Sequence, residues 1–166
     1  MQSSGWCEMI DFKNKNKILL LLNDNFPVQN SIDISLDLLV QYEGDVVYDY
    51  FHGNTWFDLA SHLDFKLDGE ALEKGCLCLK RDEFRYYFPL YIYASLINDD
   101  GWAFEYSFFL HYLTPGTIDE DDFFDFIDRF NFSQKKIIYE FVLYKFVHIH
   151  DPIAEDAFNH FWILYS

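Results

Sequence analysis

Positive charge is scarce in this chain. Its 166 residues hold 12 Lys and Arg against 28 Asp and Glu, for a formal net charge of −16. Affinity for nucleic acid rests on cationic contacts to phosphate, so direct nucleic-acid binding is excluded as a function class. An acidic surface is repelled by anionic membranes in the same way. It attracts a basic partner and speeds the encounter, although the same charge can serve solubility alone. Long apolar runs are also missing. Ile18 to Leu22 is the densest aliphatic stretch, too short for a signal sequence or a membrane span. The first residues, Met1 to Glu8, hold no basic segment of the secretory kind. Cysteine is limited to Cys7, Cys76 and Cys78. An odd, widely spaced set makes no disulfide framework and fits a reducing compartment. A cytoplasmic protein with no membrane association is the expectation.

Catalytic and ligand-binding signatures are absent as well. The chain has no G-x-S-x-G, Walker loop, H-E-x-x-H or dinucleotide fingerprint. Asp119 to Asp122 resembles the start of a calcium loop, but Phe124 stands where that loop needs glycine. Cys76-x-Cys78 lacks a second pair at zinc spacing, and two buried thiols are expected there. His148-x-His150 would point two ways from a helix, and a metal site needs convergent ligands. Among 28 acids, paired carboxylates arise by chance and nominate no glycosidase. No catalytic residue, metal or cofactor is therefore assigned.

What the chain does have is aromatic mass: 19 Phe, 12 Tyr and 4 Trp within a 51% hydrophobic composition. That is enough apolar material for one sizeable core. Any surplus left outside would form a patch of the kind that marks a partner site. The densest stretch runs from Glu83 to Leu96. It reads as a central buried helix, capped by Asp82 and interrupted at Pro89, where the helix either kinks or restarts. Arg85 lies inside it, and a buried arginine needs a carboxylate or carbonyl partner. Tyr86 and Tyr87 are helix neighbours, so one must carry its hydroxyl to a polar partner or to the surface.

Around this centre the patterns are mostly helical. Residues 1–12 read as a loose lead-in, with Trp6 able to dock on the body. A helix is expected over Lys13 to Asn25, stopped ahead of Phe26-Pro27, with a buried strand as the alternative. Ser31 to Val40 alternates like a strand, and its state is left open. A helix opened by Asp45 is followed by a Gly53-Asn54 turn and a Thr55-capped helix in which Trp56, Leu59 and Leu63 share a face. Asp64 to Lys74 reads as a polar stretch with one turn of helix, stopped by Gly75, and Cys76 to Leu79 as an apolar connector. Asn98 to Gly101, with Asp99 and Asp100, is a loop. Trp102 to Leu113 is a well-buried helix ended by Thr114-Pro115-Gly116. From Asp119 to Phe130, Phe123, Ile127 and Phe130 face inward, and Asp121, Asp125 and Asp128 form an acidic outer stripe. Ser133 is the expected cap of a helix over Gln134 to Val147. Asp151-Pro152 starts the last helix, whose apolar face includes Ala154, Ala157, Phe158, Phe161 and Trp162.

Several of these pieces occur together elsewhere. The Phe-x-Gly element followed by Trp56-x-x-Leu59, the Glu83 to Pro89 stretch EFRYYFP, Phe132-Ser133-Gln134 with its Ile-rich helix, and Ala157 to Trp162 fall in a familiar order. The chain resembles an uncharacterised domain-of-unknown-function family of small bacterial proteins with an FRYYLP-type central motif. It departs from that motif at Phe88, where leucine is usual. The resemblance implies no activity or site. By context alone it suggests the immunity proteins that accompany bacterial toxins.

The expected fold is thus mostly α, a single domain of about six or seven helices around a central Pro-kinked helix. The expected function is an intracellular immunity-type binding protein that neutralises a basic toxin or effector. Asp121, Asp125, Asp128, Asp99 and Asp100 are the expected partner contacts. Arg85, Tyr86, Pro89 and Trp56 are structural or open in role. An acidic nucleic-acid mimic and an enzyme with an unrecognised site are the alternatives.

Overall fold

The computed structural model describes residues 10–28, 33–35, 44–97, 103–116 and 120–166. Every regular element among them is helical, and no strand occurs among the described residues. Nine α-helices are present there: α1 (Lys15–Asn25), α2 (Gly44–Phe51), α3 (Trp56–Ser61), α4 (Phe65–Cys78), α5 (Arg81–Ile97), α6 (Ala103–Phe108), α7 (Glu120–Asp128), α8 (Phe132–Val147) and α9 (Pro152–His160). A π-helical turn (Phe109–Leu113) continues α6, and a 3₁₀ turn (Trp162–Tyr165) follows α9. Helices α8 and α9 pack together. Helix α4 lies against α2 and α6, while α5 takes α1 and α3. None of the described helices is long and apolar enough to cross a membrane. The expectations for residues 1–9, Ser31 and Ile32, Leu36 to Val40, the Asn98 to Gly101 loop, Trp102 and Asp119 lie outside the described residues.

Local chemistry explains most of the helix ends. Asn14, Thr55, Asp64 and Asp151 each accept a backbone N–H of the first turn of α1, α3, α4 and α9. Gly53 takes φ of 79° in the turn after α2, a conformation that suits glycine. Two expected caps are corrected. Asn131, not Ser133, caps α8, in a reciprocal box with Gln134. Asp82 lies inside the first turn of α5. There the Glu83 carboxylate accepts the Lys80 N–H at 2.8 Å and the Ser35 N–H at 3.0 Å, tying residues 33–35 to the start of α5.

Among the described residues the helix count exceeds the expected six or seven, and one of the additions is α4, a full helix of 14 residues. Gly75, expected as a stop, lies buried inside it. A Cβ at this position would overlap the Tyr91 hydroxyl and stand 2.9 Å from Phe51 Cε2. The glycine is there for close packing against α5 and α2, and tertiary contact overrides its local preference. Helix α5 also runs unbroken through Pro89, so the restart reading is set aside. Pro89 has no N–H to offer the Arg85 carbonyl.

The aromatic mass interlocks around α5, where Phe84, Tyr87, Phe88 and Tyr91 are fully buried. Phe84 stacks on Tyr112 at 3.6 Å and 3°. Phe88 meets Phe108, Phe126 and Phe130 at tilted or edge angles, the geometry that ring quadrupoles favour. Buried polar tips find backbone partners. Trp56 donates to the Pro27 carbonyl at 2.9 Å and Trp162 to that of Leu113 at 2.7 Å. The Tyr87 hydroxyl lies 2.7 Å from the carbonyls of Phe51 and Asn54. Trp56 is therefore a core residue that fixes the chain after α1.

Candidate functional site

Helix α7 presents the clearest surface. Its inner positions Phe123, Phe126 and Ile127 are buried. Glu120, Asp121 and Asp122 occupy the first turn, where the helix dipole favours acids. The outer side carries Asp121, Phe124, Asp125 and Asp128, all exposed. Three- and four-residue spacing puts Phe124 beside Asp121 and Asp128 on the helix surface. Phe124 is 38% exposed, an unusual place for a phenylalanine flanked by acids. It leans on Phe161 at 5.6 Å between centroids, and Phe161 continues to Tyr165 at 5.5 Å. Ile163 and Leu164 of the 3₁₀ turn are exposed as well, Leu164 by 76%. An aromatic and aliphatic patch thus adjoins the acidic stripe.

The stripe is not bare carboxylate. Asp125 meets Arg129 Nε at 3.3 Å and Asp128 meets Lys135 at 3.5 Å. Arg129 also lies 4.0 Å from Asp82, which holds Arg85 at 2.7 Å. These surface pairs are worth at most about 1 kcal/mol each. An incoming cation can replace them at little cost. Arg85 is mostly buried, with its guanidinium 4.6 Å above the Phe126 ring, so it joins the inner side of α7 to α5. Its Nε is buried without a hydrogen-bond partner. Tyr86 sits beside Tyr87 with its phenol pKa raised, first by burial, with the Trp56 backbone N–H opposing and the Asp58 charge adding. Asp99 and Asp100 lie outside the described residues.

Two further features escape sequence reasoning. Lys145 is buried and forms an ion pair with Glu105, donates to the Ser95 carbonyl at 2.9 Å, and so joins α8 to α6 and α5. Ser95 Oγ closes the set by donating to Glu105 at 2.8 Å. The available signal is periodicity, because Lys145 follows Ile138 and Phe141 at helix spacing and occupies a core position. The second feature is a cleft of about 940 Å³. Lys80 between α4 and α5, Arg81 at the start of α5, the π-helical turn, and Asp156 and His160 of α9 line it. The Tyr112 hydroxyl donates to the Cys76 carbonyl at 3.2 Å. Burial is the main reason its pKa is raised, and the nearby Arg81 charge works against that. The sequence shows Lys80-Arg81 only as two cations before an acidic turn.

Cys76 is buried, as expected, but Cys78 is only half-buried. Burial raises the Cys76 thiol pKa, so it is a poor nucleophile. Among the described residues no three His, Cys, Asp or Glu side chains cluster as metal ligands. The chain matches no family model, no curated protein and no solved structure.

Proposed function

We propose that this chain is an immunity-type binding protein, acting in the cytoplasm, that neutralises a basic bacterial toxin or effector through the α7 face. The observation that carries the reading is Phe124, exposed within an acidic stripe and linked through the buried Phe161 ring to exposed Tyr165. Protein interfaces combine an apolar, aromatic centre with a polar rim. Here the rim is Asp121, Asp125 and Asp128, which suits a partner rich in Lys and Arg. The acids speed encounter, and the aromatic centre supplies most of the affinity. The role is binding and not catalysis. In this reading α5, bent at Pro89, is the scaffold that sets α7 in place, and the resemblance of Glu83 to Pro89 to the FRYYLP-type family belongs to that scaffold. A nucleic-acid mimic needs an unbroken row of acids spaced like phosphates. The interleaved Arg129 and Lys135 favour a protein partner instead.

The test is affinity capture from the source bacterium, paired with co-expression against toxin genes neighbouring this one. Wild-type protein should retain a basic protein and protect growth. Phe124→Ser and Asp125→Lys should each lose both effects, with the Phe124 change weakening binding by about 2 kcal/mol if it is an interface hot spot. Failure to protect, or capture that survives both substitutions, would overturn the assignment.

A further inference from the structure

The cleft beside α4, the π-helical turn and α9 sets two adjacent cations beside an apolar wall. Lys74, Arg85, Arg129, Lys135, Lys136 and Lys145 all stand in intramolecular ion pairs. Lys80 and Arg81, like Lys13, Lys15, Lys17 and Lys66, stand in none among the described residues, though two acids follow Lys80 and Arg81 directly in sequence. Those acids are already engaged. Asp82 holds Arg85 at 2.7 Å, and Glu83 accepts the backbone N–H groups of Lys80 and Ser35. Two exposed cations are therefore left at one side of a cleft of about 940 Å³. Leu77, Leu79 and Leu110 supply apolar wall, with Leu77 and Leu110 exposed to solvent. His111 adds an imidazole to the lining. The carboxylates in the lining are Glu120 and Asp156, and Asp156 lies 3.8 Å from His160. The first turn of α5 begins at Arg81, so the positive end of its dipole lies there.

We infer that this cleft binds a small amphiphilic anion, with its acidic head at Lys80 and Arg81 and its apolar body against Leu77, Leu79 and Leu110. The two parts match the general form of ligand sites, an apolar cavity with a few charged groups that set orientation. A guanidinium and an ammonium suit a carboxylate or a phosphate monoester equally in charge. Both can meet arginine in a bidentate fork, so their relative affinity distinguishes the two.

Titration calorimetry with octanoate and octyl phosphate tests this, with octanol and octyltrimethylammonium as neutral and cationic controls. The expected result is saturable one-to-one binding of an anion, with Kd on the order of 1 mM or tighter for a ligand of this size. The preferred head is the anion of lower Kd. Lys80→Gln and Arg81→Gln should each weaken binding about tenfold, as loss of a charge-assisted contact does. Both side chains are exposed, so the variants keep the fold. Leu110→Asp should abolish binding by placing a like charge in the apolar wall, and Lys17→Gln on α1 should leave it unchanged. Equal binding of octanol or of the cation would overturn the site. So would an affinity that ignores both Lys80→Gln and Arg81→Gln, or no saturable binding of either anion.

Discussion

Gly75→Ala separates helix propensity from packing. Inside an exposed helix this change stabilises by about 1 kcal/mol, because glycine is the poorer helix former. Gly75 is a buried residue of α4. A new Cβ would overlap the Tyr91 hydroxyl and come within 2.9 and 3.0 Å of the Phe51 ring. Tyr91 is fully buried and donates to the Leu72 carbonyl at 2.6 Å, so its hydroxyl cannot withdraw without losing that bond. Overpacking costs about 2 kcal/mol, and a buried hydroxyl without its partner costs about 2 more. Subtracting the propensity gain leaves a net destabilisation of about 3 kcal/mol. For a chain of this size that lowers Tm by roughly 6–12 °C. Urea and thermal unfolding followed by circular dichroism would measure it. The diagnostic step is a double-mutant cycle with Tyr91→Phe, which removes the offending oxygen. In that background Gly75→Ala should cost only about 1 kcal/mol, from the Phe51 contact that remains. A stabilised Gly75→Ala, or an equal cost in both backgrounds, would refute the close-packing account.

Lys145→Met should destabilise by about 3–5 kcal/mol, because it leaves the Glu105 carboxylate in the core without its cation. Lys145→Met with Glu105→Met should cost well under the sum of the single changes, as read by urea midpoints. Asn131→Ala should cost about 1–2 kcal/mol through the lost α8 cap. Gln134→Ala should add to this, since Gln134 also donates to the Asn25 carbonyl at 2.9 Å and ties α8 to the end of α1. Alkali should unfold the protein. The phenols of Tyr91 and Tyr112 are raised above their usual pKa, mainly by burial and next by the Cys76 charge. A raised folded pKa gives stability that is complete below the unfolded pKa and is lost as pH climbs from there towards the folded value. Each should therefore cost about 1.4 kcal/mol per pH unit above about pH 10. Urea midpoints on either side of that pH should show the fall, and Tyr112→Phe should make it shallower.

Legibility in the sequence follows locality. Helix α1 is readable because Phe26-Pro27 stops it, and α3 because Thr55 caps it. The inward face of α7 is readable because Phe123 and Ile127 lie at helix spacing. Each of these signals lies within a few residues of its effect. Helix α4 is misread because its decisive partner, Tyr91, is 16 positions beyond Gly75 in the chain. Ser133 competes as the α8 cap because local residue preference ranks serine and asparagine alike. The choice of Asn131 comes with Gln134, whose side chain answers at the Asn131 N–H. The acidic stripe is visible by spacing, whereas its neutralising partners are only half visible. Arg129 is four residues from Asp125, but Asp82 and Arg85 come from a distant helix. The cleft is invisible for the same reason, since its lining comes from segments that meet only in the folded state.

Charge and aromatic mass divide the surface into two regions of opposite character. Nearly all the rings are spent on the core. Among the described residues only Tyr106, Phe124, Phe132 and Tyr165 are aromatic and exposed. Phe124 and Tyr165 both touch the buried Phe161, so two of those four flank one core ring. Near α7 the cations Arg129 and Lys135 are drawn onto the acids by weak, exchangeable pairs. At the α4–α5 junction the acids are withdrawn from Lys80 and Arg81 by Arg85 and by backbone N–H groups. The same residue, Asp82, serves both arrangements, because it meets Arg85 and Arg129 at once. Asp82→Asn should therefore move both regions together. Arg129 would be freed to lean further on Asp125, lowering the negative potential of the α7 face. Arg85 would lose its carboxylate beside the Phe126 ring. A salt titration of partner capture then discriminates. If the α7 acids steer encounter, raising ionic strength should slow association of the wild type more than that of Asp82→Asn. Equal salt dependence in the two proteins would show that the face does not act through its charge.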